Sequence, residues 1–326
     1  KISANSNINI NINFNIMAMF FIILFIQLFY FVISLRNGVN FQPSYYNNGN
    51  VTFGFDLLKK YPQIQSVRIE IEPDKVTQAY QWIQEAHNNG YHIIATYHTS
   101  PLGEDNPIQL IEAAQWWIEN YMYLKAAGEF TINIRNEWGS HDINAIDYAN
   151  AYNDAIHMIR NIIGIQPNIP LIIDIPGWGQ ETHTAAQASP LITDKFIIFS
   201  AHIYTKAYNN GYNRTMIPSD MDELIDTGRD CMIGEYGFND DIGGGGGRGG
   251  GRDNGDTFDE VNAPVAVIVQ HAQDIGFIGV YAWAWNGDGA AGNGKSLNMV
   301  TPNWMEEPLS TNYSESSYFY EVIDLL

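Results

Sequence analysis

The stretch Phe130-Thr131-Ile132-Asn133-Ile134-Arg135-Asn136-Glu137-Trp138-Gly139 starts as a short apolar run and ends in polar and aromatic side chains. Such a run predicts a buried strand, and a carboxamide, a carboxylate and an indole follow at its carboxyl end. Parallel α/β sheets bind ligands at the carboxyl ends of their strands. A second stretch, Cys231-Met232-Ile233-Gly234-Glu235-Tyr236-Gly237, has the same form. We therefore expect Glu137 and Glu235 to form a facing pair of carboxylates.

From Arg36 onward, apolar runs alternate with helical patterns. Besides the two stretches above, the predicted strands cover residues 38–41, 66–71, 91–98, 170–175, 196–202 and 278–283. The predicted helices cover residues 75–88, 107–127, 145–163, 263–275 and 316–325. Continuous apolar runs are typical of parallel strands that are buried on both faces. Strands and helices in this alternation predict an α/β fold, a single-domain (β/α)8 TIM barrel over residues 36–326.

The amino-terminal segment differs from the rest of the chain in composition. Residues 1–16 are a low-complexity Asn/Ile tail, for which we expect no packed structure. If Met17 is the true start of translation, this tail would not be translated. Residues 17–35 are a nearly unbroken hydrophobic leader. A signal peptide fits its position, and a membrane anchor fits its length. We favour export, so we expect a secreted protein, with membrane anchoring by residues 17–35 as the alternative.

The composition restricts the partners that the protein can have. Lys and Arg total 16 against 36 Asp and Glu, which gives a formal net charge of −20. Such a surface repels phosphate backbones, so it argues against a nucleic-acid partner and suits a neutral substrate. The single cysteine, Cys231, cannot form an internal disulfide. We expect a monomer that uses no cofactor.

Polar or aromatic side chains stand at the carboxyl ends of several predicted strands. They are Arg68, His98, Asn136, Glu137, His202, Tyr204, Glu235 and Trp283. In a βα barrel the active site lies at this face. Any one of them taken singly could have a structural role, such as an ion pair or core packing. The two glutamates differ, because a carboxylate after an apolar run is costly to bury without a purpose.

Two facing carboxylates suit the cleavage of glycosidic bonds. Retaining enzymes hold a nucleophile and an acid/base about 5–5.5 Å apart, whereas inverting enzymes need a wider gap for water. Strands four and seven of a barrel lie across its mouth from one another, which allows the short gap. We assign Glu137 as the acid/base and Glu235 as the nucleophile. Arg68 and Tyr204 would keep Glu235 ionised by charge and hydrogen bonding.

The other residues at the strand ends are assigned to the substrate. Asn136 would hydrogen-bond the sugar 2-hydroxyl, and Trp283 would lie under the sugar ring. His98 and His202 would bind hydroxyls or tune Glu137. Three further tryptophans could form platforms along a cleft: Trp138, Trp178 and Trp285. We predict no metal site, because the histidines lack ligand spacing with carboxylates and the chemistry needs no metal.

Several motifs occur in order on successive predicted strands. They are Arg36-Asn37-Gly38-Val39-Asn40, Val67-Arg68-Ile69, Ile134-Arg135-Asn136-Glu137-Trp138, Gly177-Trp178-Gly179-Gln180, His202-Ile203-Tyr204, Ile233-Gly234-Glu235-Tyr236-Gly237 and Ala282-Trp283-Ala284-Trp285-Asn286-Gly287-Asp288-Gly289. Together they resemble glycoside hydrolase family 5 of the retaining β/α-barrel clan. The fourth and the last motif are most similar to its bacterial-type endo-β-1,4-mannanases. The glycine-rich run 243–251 departs from the pattern of the family.

The first functional hypothesis is a retaining endo-hydrolase of β-1,4-linked mannan-type polysaccharide. The alternative is an endo-β-1,4-glucanase with the same chemistry, which would differ in how the site accommodates the sugar 2-hydroxyl. A non-catalytic carbohydrate-binding barrel is less favoured, because both glutamates are present. A membrane-tethered surface protein rests only on residues 17–35. The expected partner is the β-1,4-linked polysaccharide.

Overall fold

Eight parallel strands close into a barrel. This computed structural model of the protein describes residues 35–162, 165, 168–238, 264–289 and 296–326. The barrel strands are β1 (Gly38–Phe41), β2 (Ser66–Ile71), β3 (His92–Tyr97), β4 (Thr131–Asn133), β5 (Leu171–Asp174), β6 (Ile197–Tyr204), β7 (Asp230–Gly237) and β8 (Val280–Asn286). Each strand pairs with its neighbours in sequence, and β8 closes the barrel on β1. The predicted eightfold barrel is confirmed.

A helix follows each barrel strand. The helices are α1 (Phe55–Leu58), α2 (Val76–Asn88), α3 (Pro107–Lys125), α4 (Ala145–Arg160), α5 (Thr182–Ala188), α6 (Ser219–Ile225), α7 (Val265–Asp274) and α8 (Phe319–Val322). A further single helical turn, Pro176–Gly179, precedes α5. Two short antiparallel ribbons pair residues 208–209 with 214–215 and residues 300–301 with 314–315. The described residues belong to one compact unit, Leu35–Leu326.

The two longest helices, α3 and α4, begin at asparagine side chains that accept hydrogen bonds. Pro107 occupies the first turn of α3, and the Asn106 side chain accepts a hydrogen bond from the Ile108 amide at 3.1 Å. Asn144 caps α4 in the same way, at the amides of Ile146 and Asp147. The inner faces of these helices bury their apolar side chains against the outside of the barrel, which leaves the strand ends free to carry polar groups.

The sequence patterns did not predict helices α1, α5 and α6. These helices have 4, 7 and 7 residues, which is at most about two turns. An apolar pattern cannot repeat over so short a length, so periodicity does not reveal them. The predicted carboxyl-terminal helix over residues 316–325 is shorter than expected. It consists of α8 and a 3-10 turn, Ile323–Leu325.

Several predictions concern parts of the chain outside the described residues. They are the Asn/Ile tail, almost all of the apolar leader over residues 17–35, and the glycine-rich run 243–251. Among the residues that the structure does describe, no helix has the length and apolar character needed to cross a membrane.

Candidate active site

Arg68 is the hub of the polar network at the carboxyl ends of the strands. It lies on β2, is fully buried, and points into the barrel. Its Nη1 atom donates to Asn40 Oδ1 at 2.9 Å, to Glu70 Oε1 at 3.0 Å and to Glu235 Oε1 at 2.8 Å. Three strands therefore place acceptors around a single nitrogen atom of one guanidinium group.

The other edge of the guanidinium binds residues from β4 and the loop that follows it. Nε and Nη2 donate to Asn133 Oδ1 at 3.1 and 3.0 Å, and Nη2 donates to Asn136 Oδ1 at 2.5 Å. The carboxylate of Asp174 lies 3.7 Å from Nη2. Because its oxygen accepts from Arg68, the Asn136 amide is oriented with its NH2 group as the side that remains for other partners.

Glu235 is held as a carboxylate. Tyr204 donates to its Oε2 at 2.6 Å, and His202 Nδ1 lies 3.5 Å from its Oε1, which also accepts from Arg68. Burial alone would raise the pKa of Glu235, but the positive charges of His202 and Arg68 and the Tyr204 hydrogen bond outweigh it. The net effect holds the pKa of Glu235 below its usual value.

The pKa of Glu137 is shifted in the opposite direction, above its usual value. Burial is the main reason that its pKa is raised, and the negative charge of Glu235 adds to the increase, while the bond to His202 opposes it. Its backbone has a left-handed φ of 48°, a conformation that costs a non-glycine residue about 1–2 kcal/mol. The Glu137 amide donates to Asp174 Oδ2 at 2.9 Å, which stabilises this conformation. Burial and the charge of Glu235 therefore favour the protonated form of Glu137.

His202 lies between the two glutamates. Its Nδ1 is 3.0 Å from Glu137 Oε1 and 3.5 Å from Glu235 Oε1, and its Nε2 is 3.6 Å from Asp174 Oδ2. Burial would lower the pKa of His202, but the charges of Glu235 and Asp174 and the bond to Glu137 raise it to about 9. The imidazole is therefore protonated at neutral pH and links the two carboxylates.

The spacing of the two glutamates matches glycosidic chemistry. A carboxylate oxygen of Glu137, one of Glu235 and a ring nitrogen of His202 all lie within 4.8 Å of one another. Carboxyl groups about 5–5.5 Å apart are typical of the retaining mechanism, and inverting sites are wider. The same three groups could ligate a metal ion. The sequence analysis did not predict this possibility, because the loop after β4, strand β6 and strand β7 contribute one residue each.

Two buried carboxylates of this network were not predicted from the sequence. Asp174 ends β5, and Glu70 stands two residues after Arg68 on β2. His98 Nε2 lies 3.4 Å from Glu70 Oε2, so this predicted residue contacts an acid rather than Glu137. Burial raises the pKa of Glu70 to about 7, although His98 opposes the shift. A charged residue inside an apolar run was the available signal for both acids.

Two of the four tryptophans assigned to the substrate lie where a ligand can reach them. The Trp283 side chain is partly exposed, and its Nε1 donates to Asp288 Oδ1 at 3.1 Å. The ring of Trp178 is partly exposed and lies 5.2 Å from the ring of His141. It packs on Gly103, where a Cβ atom would come within 2.2 Å of the indole. Both rings are therefore held in place by polar or steric contacts.

The assignment of Trp138 and Trp285 as cleft platforms is corrected by the structure. Trp138 is 1 % exposed and packs on two tyrosines of α4, and Trp285 is 0 % exposed. Their Nε1 atoms donate to the backbone carbonyls of Asn106 and Phe53, at 3.0 and 2.8 Å. Both rings therefore pack in the core and do not line the mouth of the barrel.

The fold is similar to that of several solved glycoside hydrolases. A cellulase designated Cel5C_n is 17 % identical with a TM-score of 0.61, over 89 % of this chain and 85 % of that one. A GH5 cellulase from an Icelandic hot spring isolate is 17 % identical with a TM-score of 0.57, over 82 % and 78 %. Cel5A of Thermotoga maritima, in complex with mannotriose, is 14 % identical with a TM-score of 0.53, over 90 % and 97 %.

The sequence comparisons assign the family. A search of curated protein sequences gave no match. The sequence model described as "Cellulase (glycosyl hydrolase family 5)" matches residues 52–289, which is well over half of the chain. That range contains Arg68 and both facing carboxylates, Glu137 and Glu235. The protein therefore belongs to glycosyl hydrolase family 5 and is a glycoside hydrolase.

Proposed function

We propose that the protein is a retaining endo-hydrolase of β-1,4-linked polysaccharides, with Glu137 as acid/base and Glu235 as nucleophile. The observation that supports this most directly is the separation of their carboxylate oxygens, within 4.8 Å. This gap leaves room for a sugar carbon bonded to one carboxylate and for a glycosidic oxygen at the other. It is too short for an extra water molecule between sugar and base.

The first half of the reaction forms a covalent intermediate. A Glu235 oxygen forms a bond to the anomeric carbon while the bond from that carbon to the glycosidic oxygen breaks. The electron pair of the broken bond goes to the leaving oxygen, which takes the proton from Glu137. The pKa of Glu137 is raised by burial and that of Glu235 is lowered by its cationic neighbours, so each group starts in the required form.

The second half reverses the roles of Glu137. A water oxygen attacks the anomeric carbon, and the water proton goes to the Glu137 carboxylate. The carbon–oxygen bond to Glu235 breaks, and its electron pair returns to the Glu235 carboxylate. Arg68 and Tyr204, at 2.8 and 2.6 Å, stabilise the charge that reappears on Glu235. Configuration at the anomeric carbon is retained after two inversions.

The polymer that we propose is of the mannan type, with glucan as the alternative. The motifs that carry Trp178 and Trp283 are most like those of mannanases, and both rings are accessible. The two similar cellulase structures keep the glucan alternative open, and the third similar structure is described with mannotriose. Trp283 would lie under the sugar ring, and Asn136 would donate to its 2-hydroxyl.

We also infer the setting in which the enzyme acts. A polymeric substrate is outside most cells, and the apolar leader over residues 17–35 supports export or anchoring at a membrane. The net charge of −20 argues against nucleic acid as a partner. We expect an exported monomer. A new amino terminus near Arg36 on protein recovered from the medium would support export, and intact protein in the membrane fraction would support anchoring.

A polysaccharide panel with product analysis tests the proposal. The wild-type protein should release reducing ends from glucomannan and galactomannan faster than from carboxymethylcellulose, and the reverse order would favour the glucanase. Proton NMR should show the β-anomer as the first product. Glu235→Ala should be inactive, and azide should rescue Glu137→Gln on an activated aryl glycoside. An α-anomer formed first, or an active Glu235→Ala variant, would refute the mechanism.

A further inference from the structure

Glu70 is a buried carboxylate at the site that the proposed reaction steps do not use. It lies two residues after Arg68 on β2, so both side chains point into the barrel. Its side chain is 1 % exposed, and it therefore cannot serve as an ordinary surface charge. Burying a carboxylate costs several kcal/mol unless its partners compensate, so its contacts indicate its role.

Both oxygens of Glu70 contact groups that also belong to the site. Oε1 accepts from Arg68 Nη1 at 3.0 Å, and the same nitrogen donates to Glu235 Oε1 at 2.8 Å. Oε2 accepts from Gln42 Nε2 at 2.9 Å and lies 3.4 Å from His98 Nε2. Glu70 and Glu235 thus share one cation, and they do so through one nitrogen atom.

The charged groups around Glu70 come from several different elements of the barrel. The titratable and charged groups that act on it are Arg68, His98, Glu137, Glu235 and Tyr45, and Glu72 acts on the neighbouring His98. Asp174, at 3.7 Å, is the third carboxylate within ion-pair distance of Arg68. Of these acids, only Glu70 and Glu235 accept from the Nη1 atom of Arg68 among the described residues.

The charge on Glu235 is not constant during the proposed reaction. It is an anion before glycosylation, and it becomes a neutral ester when its oxygen bonds to the anomeric carbon. A lone Arg68 cation would stabilise the starting carboxylate more than the transition state, in which that charge is being lost, and it would slow the attack. In its ionised form, Glu70 is a second anion on the same guanidinium, which offsets this effect and also favours the positive charge that develops on the sugar.

We propose that Glu70 is a positioning residue that keeps Arg68 paired while Glu235 loses its charge, and that it thereby accelerates glycosylation in preference to deglycosylation. This inference rests on the proposed function, with Glu235 as nucleophile. In the second step the two effects of Glu70 oppose each other, because an anion favours the sugar cation and disfavours the returning carboxylate. Deglycosylation should therefore depend little on Glu70.

The test separates the two half-reactions in the full-length protein. The probe is the 2,4-dinitrophenyl β-mannobioside or β-cellobioside, whichever the wild-type protein cleaves faster, because a good leaving group makes deglycosylation limiting. The initial burst of dinitrophenol then reports glycosylation, and the steady state reports deglycosylation. For Glu70→Gln we expect a burst rate about tenfold lower and a steady-state rate changed by less than about twofold.

Glu72→Gln is the matched control. It removes the same charge two residues further along, at a side chain that lies 3.1 Å from His98 but is not among the ion-pair partners of Arg68 in the described structure. Its ratio of burst rate to steady-state rate should stay within about twofold of the wild-type ratio. A ratio that changes as much as in Glu70→Gln would show that any nearby charge suffices and would overturn the proposal.

A second variant covers the case in which Glu70→Gln does not fold, as judged by thermal unfolding. Gln42→Ala removes the hydrogen bond that Gln42 donates to Glu70 Oε2 and leaves Glu70 itself in place. The loss of this donor makes the ionised form of Glu70 less stable. It should lower the burst rate in the same direction and by less, about two- to fourfold. Equal slowing of both phases, or no change in either variant, would overturn the role of Glu70. A wild-type protein without hydrolysis, or a Glu235→Ala variant as active as wild type, would instead refute the proposed function itself.

Discussion

Replacing His202 by glutamine should move both limbs of the pH–activity profile to higher pH. The protonated imidazole lies 3.0 Å from Glu137 and 3.5 Å from Glu235. Its positive charge lowers the pKa of both carboxyl groups. Without this charge, Glu235 ionises only at higher pH, so the acidic limb of the profile moves to higher pH. Glu137 keeps its proton up to a higher pH, so the alkaline limb also moves to higher pH.

The size of the shift follows from the distances. Unit charges 3.5 Å apart interact by about 5 kcal/mol at an effective dielectric constant of ~20. One pKa unit corresponds to about 1.4 kcal/mol, so the upper bound of the pKa shift is about 3.5 units. The glutamine amide and the remaining charge of Arg68 recover part of the loss. We therefore expect each limb of the His202→Gln profile to rise by about 1–2 pH units.

The measurement is kcat/KM against pH on a soluble oligosaccharide, because this ratio reports the ionisations of the free enzyme. His183→Gln is the control, since His183 pairs with Glu223 on a more exposed part of the barrel and should leave the profile unchanged. A His202→Gln profile that keeps its wild-type limbs while activity falls would refute the electrostatic reasoning. Limbs that move to lower pH would refute it as well.

Three further substitutions test separate parts of the site. Tyr204→Phe removes the hydroxyl that donates to Glu235 at 2.6 Å. It should lower kcat/KM about 10- to 100-fold, since hydrogen bonds to charged groups contribute about 1.5–3 kcal/mol. A loss below threefold would contradict this role. Asp174→Asn disturbs the carboxylate that accepts the hydrogen bond from the Glu137 amide. It should lower the free energy of unfolding, measured by urea titration, by about 1–3 kcal/mol. Unchanged stability would show that this bond does not support the left-handed backbone of Glu137. Trp178→Ala should raise KM for the polymer about three- to tenfold with kcat nearly unchanged; an unchanged KM would remove Trp178 from the binding surface.

The sequence alone determined the barrel and the principal polar residues at its mouth. Continuous apolar runs predicted the parallel strands, and the polar residues that end them predicted which face carries the chemistry. Glu137, Glu235, Arg68, Tyr204 and His202 are brought together as expected. These predictions succeed because strand periodicity and the position of a charge after an apolar run are local properties of the chain.

Only the tertiary structure decided which side of each strand faces the interior. Trp138 and Trp285 pack in the core, although they adjoin residues of the site. Glu70 and Asp174 enter the network, although their position in apolar runs did not show which side of the strand they face.

The physical reason lies in the parallel barrel itself. Its strands are apolar on both faces, so the alternation that would distinguish inside from outside is lost from the sequence. The contact between Arg68 and Glu235 also joins residues 167 positions apart. It depends on how eight strands align when the barrel closes, which no local pattern encodes.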